Sequence, residues 1–218
     1  GVETVNSPNI DKLAARGIRF HNFFSTSAVC SPGRGSLHTG RYPQSNGLMG
    51  LTHAPWWWRL HEDEKHTAHL LGDLGYESYL FGFQHIAHRN PKDQLGYDHR
   101  INNNVDKPVE FIKGAADRDK PFFAKIGFSD VHRGFQYGED RSKGVWVPPY
   151  LQETDQIVQD FADYQGEIKA FDAKVGQILD ALEESEIADN TLVIFTADHG
   201  IPFPGAKWCA RRAGFEVP

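Results

Sequence analysis

The sequence predicts an α/β fold with a mainly parallel sheet flanked by helices. Three observations lead to this prediction. Short apolar segments alternate with amphipathic ones, the segments at 121–128 and 191–196 are apolar almost throughout, and one long segment carries a helical repeat. Strands covered by helices on both faces form such continuous apolar runs, as is typical of parallel sheets. The alternation of the two kinds of segment therefore favours an α/β architecture.

The first part of the chain contains four segments with local structure signals. Residues 7–14 begin with Ser-Pro-Asn, which is typical of a helix start. Residues 18–23 alternate apolar and polar side chains and predict a strand. Helix signals return at 35–38, and residues 64–74 predict a further helix with apolar side chains on one side.

The second part of the chain continues the alternation. Residues 76–83 are rich in aromatic side chains and predict a strand, and residues 121–128 predict a second strand. Apolar residues recur at spacings of four and three across 155–184, which predicts a long helix. Residues 191–196 predict a last buried strand. Residues 130–150 are loop-like, and long loops in compact domains are usually functional or mobile.

The composition limits the classes of function. The 218 residues, 39% of them hydrophobic, suffice for one substantial core, and the length favours one domain. A net charge of −6 argues against nucleic acid as a partner, because such partners require a basic surface. No run of 18 apolar residues is present, so no membrane span is expected. No signal peptide is visible, and a start at Gly1 suggests that a leader or more has been removed.

Residues 30–34, Cys-Ser-Pro-Gly-Arg, form the most informative stretch of the chain. Proline stiffens the turn after Cys30, and Arg34 offers a planar fork of donors suited to an oxyanion. A helix is expected to begin near Ser36, and a helix N-terminus favours anions. We therefore expect Cys30 to be a special residue at an anion site; a disulfide with Cys209 is the alternative.

The run of three tryptophans at 56–58 is unusual. Aromatic side chains dominate cores by area, so the run predicts a packed corner of the core. A platform for a sugar ring is the alternative.

Three predicted strands are followed by a histidine, at His85, His132 and His199. In open α/β sheets, ligands bind beyond the carboxyl ends of the strands. Histidine suits general acid catalysis because its ordinary pKa lies near 6.5. Together with Cys30 and Arg34, these histidines predict one coherent site.

Two further groups belong to the same predicted edge. Asp198 and His199 together can bind a divalent metal, although a simple turn would use the same residue types. Lys207 follows shortly afterwards, either as a surface charge or as a donor to an anion.

At this point the sequence resembles the sulfatase family of the alkaline-phosphatase-like superfamily. The resemblance covers nearly the whole chain and is carried by 7–14, by 30–34 with Leu37, Thr39 and Gly40, and by 190–200. Within the family, the chain looks most like the sulfamidases, or heparan N-sulfatases, and related bacterial sulfatases, at 44–47, 121–123, 130–133 and 200–204.

The resemblance implies a specific chemistry. Cys30 would be oxidised to formylglycine by a formylglycine-generating enzyme or maturase, and the hydrated aldehyde would attack the sulfur of a sulfuric ester or sulfamate on a sulfated carbohydrate. Arg34 would hold the formylglycine, and His85 would bind its hydroxyl. His132 would contact the sulfate or protonate the leaving group, and Lys207 would neutralise sulfate oxygens.

The resemblance also implies one divalent metal, held by Asp198, His199 and residue 30. Ca²⁺ is the first expectation. His199 stands where the family usually has Asn, and an imidazole suits Mn²⁺ or Zn²⁺ better. Family habit places such enzymes in the periplasm, in lysosomes or outside the cell.

The chain departs from the family pattern in two further ways. The family's Asp-Asp metal pair lies on a strand upstream of residue 7, and its C-terminal subdomain is missing as well, so residues 1–218 are expected to be a partial catalytic domain truncated at both ends. Alone, this fragment is expected to bind a divalent ion poorly and to be inactive. Phe83 replaces a common lysine, which removes one positive charge.

Two alternative functions stay open. The Asp-His-Gly sequence at 198–200 also occurs in related phosphonate monoester and phosphodiester hydrolases. An inactive sulfatase-like binding domain is the second alternative, motivated by Phe83 and by the missing Asp pair.

Overall fold

A computed structural model describes residues 3–88, 94–102 and 104–218. The chain divides into two compact units: a helical unit, Gly1–Phe20 with Ser129–Thr191, and a sheet unit, His21–Phe128 with Leu192–Pro218. In chain order the elements are α1 (Pro8–Arg16), α2 (Cys30–Thr39), α3 (Pro43–Asn46), α4 (Thr67–Asp73), β1 (Glu77–Gly82), β2 (His99–Ile101), α5 (Asp106–Lys113), β3 (Phe122–Gly127), α6 (Asp155–Glu183), a 3₁₀ helix (Ala188–Asn190) and α7 (Arg212–Phe215).

The sheet unit contains a parallel sheet in the order β2-β1-β3. Gly82 pairs with Gly127, so β1 and β3 end at the same level. The Phe83 N–H extends the pairing by donating to the Gly127 carbonyl at 2.9 Å. This sheet confirms the predicted α/β class and the strands expected at 76–83 and 121–128.

The core of the sheet unit lies between β1 and the segments on either side of it. Leu80 and Phe81 of β1 have no exposed surface. Leu80 belongs to a buried apolar cluster, against which Phe123 of β3 packs. The buried members of this cluster are Leu48, Leu60, Ala68, Leu80, Ile86, Ala87, Leu95 and Tyr97. Burial of these side chains fixes the end of β1, and His85 comes shortly after that end in the chain.

In the helical unit, α1 packs against α6. The buried carboxylate of Asp172 accepts the backbone N–H groups of Asn9 and Ile10 at 3.1 and 2.9 Å. These N–H groups lack partners within their own helix, and the N-terminal end of a helix favours negative charge. A side chain at Gly176 would lie 2.7 Å from Asn9, so glycine permits this close approach. Both helices confirm the predictions at 7–14 and 155–184.

Two predicted strands are wrong. Residues 18–23 and 191–196 form no ladder with any described strand, and only an isolated bridge joins Phe24 to Glu216. The apolar side chains there are exposed, 86% for Ile18 and 85% for Leu192. A strand requires a neighbour for its N–H and C=O groups, and an apolar pattern alone does not supply one.

Other boundaries are also corrected. The helix expected near residues 35–38 begins earlier, at Cys30, and the helix expected from residue 64 begins at Thr67. The tryptophans at 56–58 are not a core corner, because their exposed fractions are 50%, 49% and 39%. None of the described helices combines the length and the apolar character that crossing a bilayer requires.

His66 makes the stability of the sheet unit sensitive to pH. Its Nδ1 accepts the Ala68 N–H at 3.1 Å and caps α4, and its ring stacks on His38 at 4.5 Å. Nε2 therefore carries the proton, and it is buried without a partner among the described residues. Burial, followed by the charges of His69 and Lys125, lowers the pKa of His66 to about 3. Protonation would destroy the cap.

We expect stability to fall as pH drops below about 6.5, because the unfolded chain then binds a proton that folded His66 refuses. The contribution of His66 to the free energy of unfolding is about 2 kcal/mol smaller at pH 5 than at pH 7. His66→Asn keeps a capping acceptor without titrating, so it should show a correspondingly weaker pH dependence in urea unfolding followed by circular dichroism. Equal pH dependence in the two proteins would contradict the assignment.

Candidate active site

Cys30 is the first residue of α2 and is nearly buried, with 7% of its surface exposed. Val29 is extended before it, and Pro32 lies within the first turn, where the missing N–H of proline costs no helical hydrogen bond. A side chain at Gly33 would collide with the Asp198 carbonyl. The small residue thus allows the segment at 198–199 to lie against the start of α2.

Cys30, Asp198 and His199 come together as predicted. The Cys30 sulfur lies 3.2 Å from Nε2 of His199. One side-chain atom from each of the three residues lies within 4.8 Å of the others. The segment that carries Asp198 and His199 is not a strand, but both side chains still lie next to the start of α2.

The hydrogen bonding of His199 defines which ring nitrogen is available. Nδ1 lies 2.7 Å from the Gly200 carbonyl, which can only accept, so Nδ1 carries the proton. Burial lowers the pKa of His199, although the nearby Asp198 charge opposes this. The ring is therefore neutral near pH 7, with the lone pair of Nε2 directed to the shared space with Cys30.

Arg34 forms an ion pair with Asp198. Its Nε donates to the carboxylate at 2.8 Å, and only 17% and 16% of the two side chains are exposed. Burial alone would raise the pKa of Asp198, but the charges of Arg34 and His199 and the hydrogen bond from Arg34 lower it. Asp198 is therefore ionised and fixed in place.

Lys207 lies near the thiol. Its backbone N–H donates to the Ile201 carbonyl at 3.2 Å and that of Trp208 donates to the Ala28 carbonyl at 3.0 Å, so a tight turn returns Lys207 towards the start of α2, where its charge favours the ionised form of Cys30. Burial and the charge of Asp198 raise the pKa of the Cys30 thiol, and Lys207 and Arg34 only partly offset them. The unmodified residue is therefore a protonated thiol near pH 7.

His85 follows β1 in a left-handed conformation, with φ of 55°. Such a backbone costs about 1–3 kcal/mol for a residue with a side chain and is common at functional sites. Its ring stacks on His53 at 5.2 Å, and its Nδ1 is buried without a partner among the described residues. Burial, then the charges of His53 and Arg34, lowers the pKa of His85 to about 4. The Phe83 ring lies 5.5 Å from the His85 ring and 5.0 Å from the Arg34 guanidinium, so His85 is near the ion pair.

His132 lies in the helical unit and is exposed, with Nδ1 3.2 Å from the Arg133 carbonyl. Its place in the site stays a prediction. Cys209 is a free cysteine, as is Cys30, so the alternative of a disulfide between them is wrong.

Phe83, which the sequence analysis treated only as the loss of a positive charge, contacts Arg34, and Lys125, which the sequence analysis did not identify, contacts Phe83. The guanidinium lies 5.0 Å from the centre of the Phe83 ring, a favourable cation–π geometry. Lys125 of β3 donates to the Phe83 carbonyl at 2.6 Å. Burial, then the charge of Arg34, lowers the pKa of Lys125 to about 7. A lone lysine in an otherwise apolar strand was the available signal.

The donor set suits a divalent cation. Asp198 offers an ionised carboxylate, His199 offers a lone pair, and residue 30 lies beside both. The His199 imidazole beside a carboxylate suits Mn²⁺ or Zn²⁺, whereas Ca²⁺ prefers six to eight oxygens. Any of these metals would require further ligands.

The family model described as Sulfatase matches residues 1–110 and 102–218. The chain is 26% identical over 264 residues to an ulvan-active sulfatase of Formosa agariphila, covering 100% of this chain and 44% of that protein. It is 27% identical over 241 residues to human N-sulphoglucosamine sulphohydrolase, covering 93% of this chain and 47% of that protein. The chain therefore spans about half the length of these relatives.

A solved structure of a phosphonate monoester hydrolase of Agrobacterium radiobacter aligns with a TM-score of 0.74 and 19% identity. The alignment covers 100% of this chain and 63% of that one. At this identity the likeness shows the fold alone, and the fold is shared with an enzyme named for a different reaction.

Proposed function

This chain belongs to the sulfatase family, and from that premise we propose that it forms part of the catalytic domain of a sulfuric ester or sulfamate hydrolase. The observation that carries the proposal is the position of Cys30. Within the Cys-x-Pro-x-Arg motif, it begins α2 in contact with His199 and beside the Arg34–Asp198 pair.

Residue 30 is proposed to act as formylglycine rather than as a thiol. The hydrated aldehyde supplies one hydroxyl for attack on sulfur and a second hydroxyl whose collapse releases sulfate. The surroundings support this role, because His199 lies 3.2 Å from the sulfur atom and the charge of Lys207 acts on the same position. A formylglycine-generating enzyme or maturase is the proposed partner.

The remaining side chains of the site have separate proposed tasks. Arg34, fixed by Asp198 and Phe83, presents positive charge beside residue 30 and orients it. Lys207 faces the same position and would neutralise oxygens of the substrate anion. Neutral His85 would hold a hydroxyl of residue 30, and His132 is proposed to protonate the leaving group.

Asp198 and His199, with residue 30, are the proposed ligands of one divalent metal. Its positive charge would stabilise developing negative charge on sulfate oxygens. The neutral His199 ring and the ionised Asp198 carboxylate are both in the protonation states that a metal requires.

A sulfated carbohydrate is the proposed substrate class. The named relatives act on ulvan or carry N-sulphoglucosamine in their name. An extracellular, periplasmic or lysosomal location would suit such a substrate.

The full-length protein, produced with a formylglycine-generating enzyme, is expected to hydrolyse 4-nitrophenyl sulfate at least about 100-fold faster, in kcat/KM, than a phenyl phosphonate ester. Both esters carry one negative charge, so the expectation rests on a site whose donors are preorganised for the three oxygens of a sulfate ester and fit the phosphonate ester less well. Mass spectrometry of the peptide containing Cys30 should show the aldehyde in place of the thiol.

The outcomes separate the alternatives. Faster turnover of the phosphonate favours the phosphonate hydrolase, for which the Asp198-His199-Gly200 sequence is the motivating feature. No turnover of either ester by protein that carries the aldehyde favours the inactive binding domain. An unmodified thiol in active protein contradicts the formylglycine proposal.

A further inference from the structure

The tryptophan run at 56–58 forms an exposed aromatic surface in the sheet unit. Trp57 and Trp58 line a groove of about 490 Å³, whose lining consists of Thr52, Trp57, Trp58, Arg59, His88 and Gln94. Large aromatic side chains are usually buried, so two indoles exposed by 49% and 39% in one concave surface require an explanation.

The two indole rings are held in place. The Trp58 backbone N–H donates to the Leu51 carbonyl at 3.1 Å and fixes the main chain there, and the Trp58 ring packs so closely over Gly50 that a side chain at Gly50 would collide with it. The Trp57 ring meets His88 edge to face at 4.4 Å, and its backbone is left-handed, with φ of 50°. A preorganised aromatic surface loses little entropy when a ligand binds.

The groove adjoins the candidate active site. The Thr52 N–H, in the groove lining, donates to Oγ of Ser31 at 3.4 Å, and Ser31 follows Cys30 in α2. Next to Thr52, His53 stacks on His85 of the site at 5.2 Å. Two independent contacts therefore connect the groove lining to the residues around Cys30.

The chemistry of the lining identifies a ligand class. An indole face covers the apolar C–H face of a pyranose ring, and the partly exposed side chain of Gln94 can bond its hydroxyls. Arg59 is exposed on the groove lining, and its planar guanidinium suits a sulfate group.

We propose that this groove is a carbohydrate subsite, in which Trp57 and Trp58 stack on a sugar ring adjacent to the one at the active site and Arg59 contacts an anionic substituent. The inference deepens the proposed function and rests on it for the identity of the reacting group. The ligand is a sulfated oligosaccharide of at least two rings.

The test uses the full-length protein and an array of heparin, chondroitin sulfate and ulvan oligosaccharides. Retention on at least one glycan is expected, and Trp57→Ala should weaken it by at least about 10-fold, a typical effect of a lost aromatic stacking partner. Trp57→Phe, which keeps a ring, should recover part of the loss. Trp56→Ala is the matched control, since Trp56 is equally exposed but lies outside the groove lining, and should bind within twofold of the unchanged protein.

Arg59→Gln should weaken retention on sulfated glycans but not on their desulfated counterparts. Turnover of 4-nitrophenyl sulfate, which has no sugar, should stay unchanged in Trp57→Ala and thereby show that this variant folds. The subsite would be overturned if the unchanged protein is retained on no glycan. It would also be overturned if Trp57→Ala binds as tightly as the unchanged protein, or if Trp56→Ala weakens binding as much as Trp57→Ala does. Glycan retention without any turnover would contradict the proposed reaction alone and support the subsite.

Discussion

Replacing Cys30 by alanine is expected to lower turnover of 4-nitrophenyl sulfate by at least about 10³-fold, as loss of a covalent nucleophile does in other enzymes. Cys30 is the first residue of α2, a position that alanine tolerates, and within the described part of the chain its side chain is hydrogen-bonded to His199. Helical content should therefore change little. Steady-state kinetics and circular dichroism on the same preparation separate the two effects.

Cys30→Ser is the sharper companion variant. Serine keeps the size and a hydroxyl for attack, but it has no second hydroxyl whose collapse expels sulfate. We expect at most one turnover for each protein molecule, seen as a burst of 4-nitrophenol without a steady state. Protein made without the formylglycine-generating enzyme should also be inactive, because burial raises the pKa of its Cys30 thiol. Sustained wild-type turnover by Cys30→Ser would refute the modified residue.

Local sequence chemistry accounts for much of the candidate site. Pro32 and Gly33 shape the start of α2, and both lie within the motif that contains Cys30, so the sequence shows them directly. Asp198 and His199 were expected to lie together because they are neighbours in sequence. Their approach to α2 was expected from the rule that ligands bind beyond strand ends and from the family resemblance, since no local pattern specifies a contact across 169 residues.

The errors arise where a feature depends on distant partners. Residues 191–196 are as apolar as β3, yet Leu192 and Ile194 are 85% and 77% exposed because no described strand pairs with them. The sequence likewise treated Phe83 as a lost positive charge. The structure instead places its ring beneath Arg34 and its carbonyl on Lys125, an arrangement that requires the pairing of β1 with β3.

The helical unit likewise contains one feature that local sequence predicts and one that depends on a distant partner. The spacing of apolar residues predicts α6 to within one residue at its end, since that period is a local property. The role of Asp172 within α6 is not local. Its buried carboxylate caps α1 through Asn9 and Ile10, and no sequence pattern connects positions so far apart.

The second large effect is expected from Asp198→Asn. The amide oxygen can still accept from Arg34, but the negative charge is lost, and with it an anionic ligand of the proposed metal. We expect Mn²⁺ affinity and turnover to fall by at least about 100-fold. The free energy of unfolding should also fall, by about 3 kcal/mol, because the largely buried Arg34 guanidinium loses its counter-charge.

A double variant separates ligation from stability. Arg34→Gln added to Asp198→Asn removes the uncompensated charge, so most of the lost unfolding free energy should return, since replacing both partners of a buried pair is often nearly neutral. Mn²⁺ binding should not return, because the carboxylate ligand is still absent. Calorimetric titration with Mn²⁺ and urea unfolding measure the two quantities on the same protein. If the double variant regains Mn²⁺ affinity along with stability, Asp198 acts only through Arg34 and is not a metal ligand.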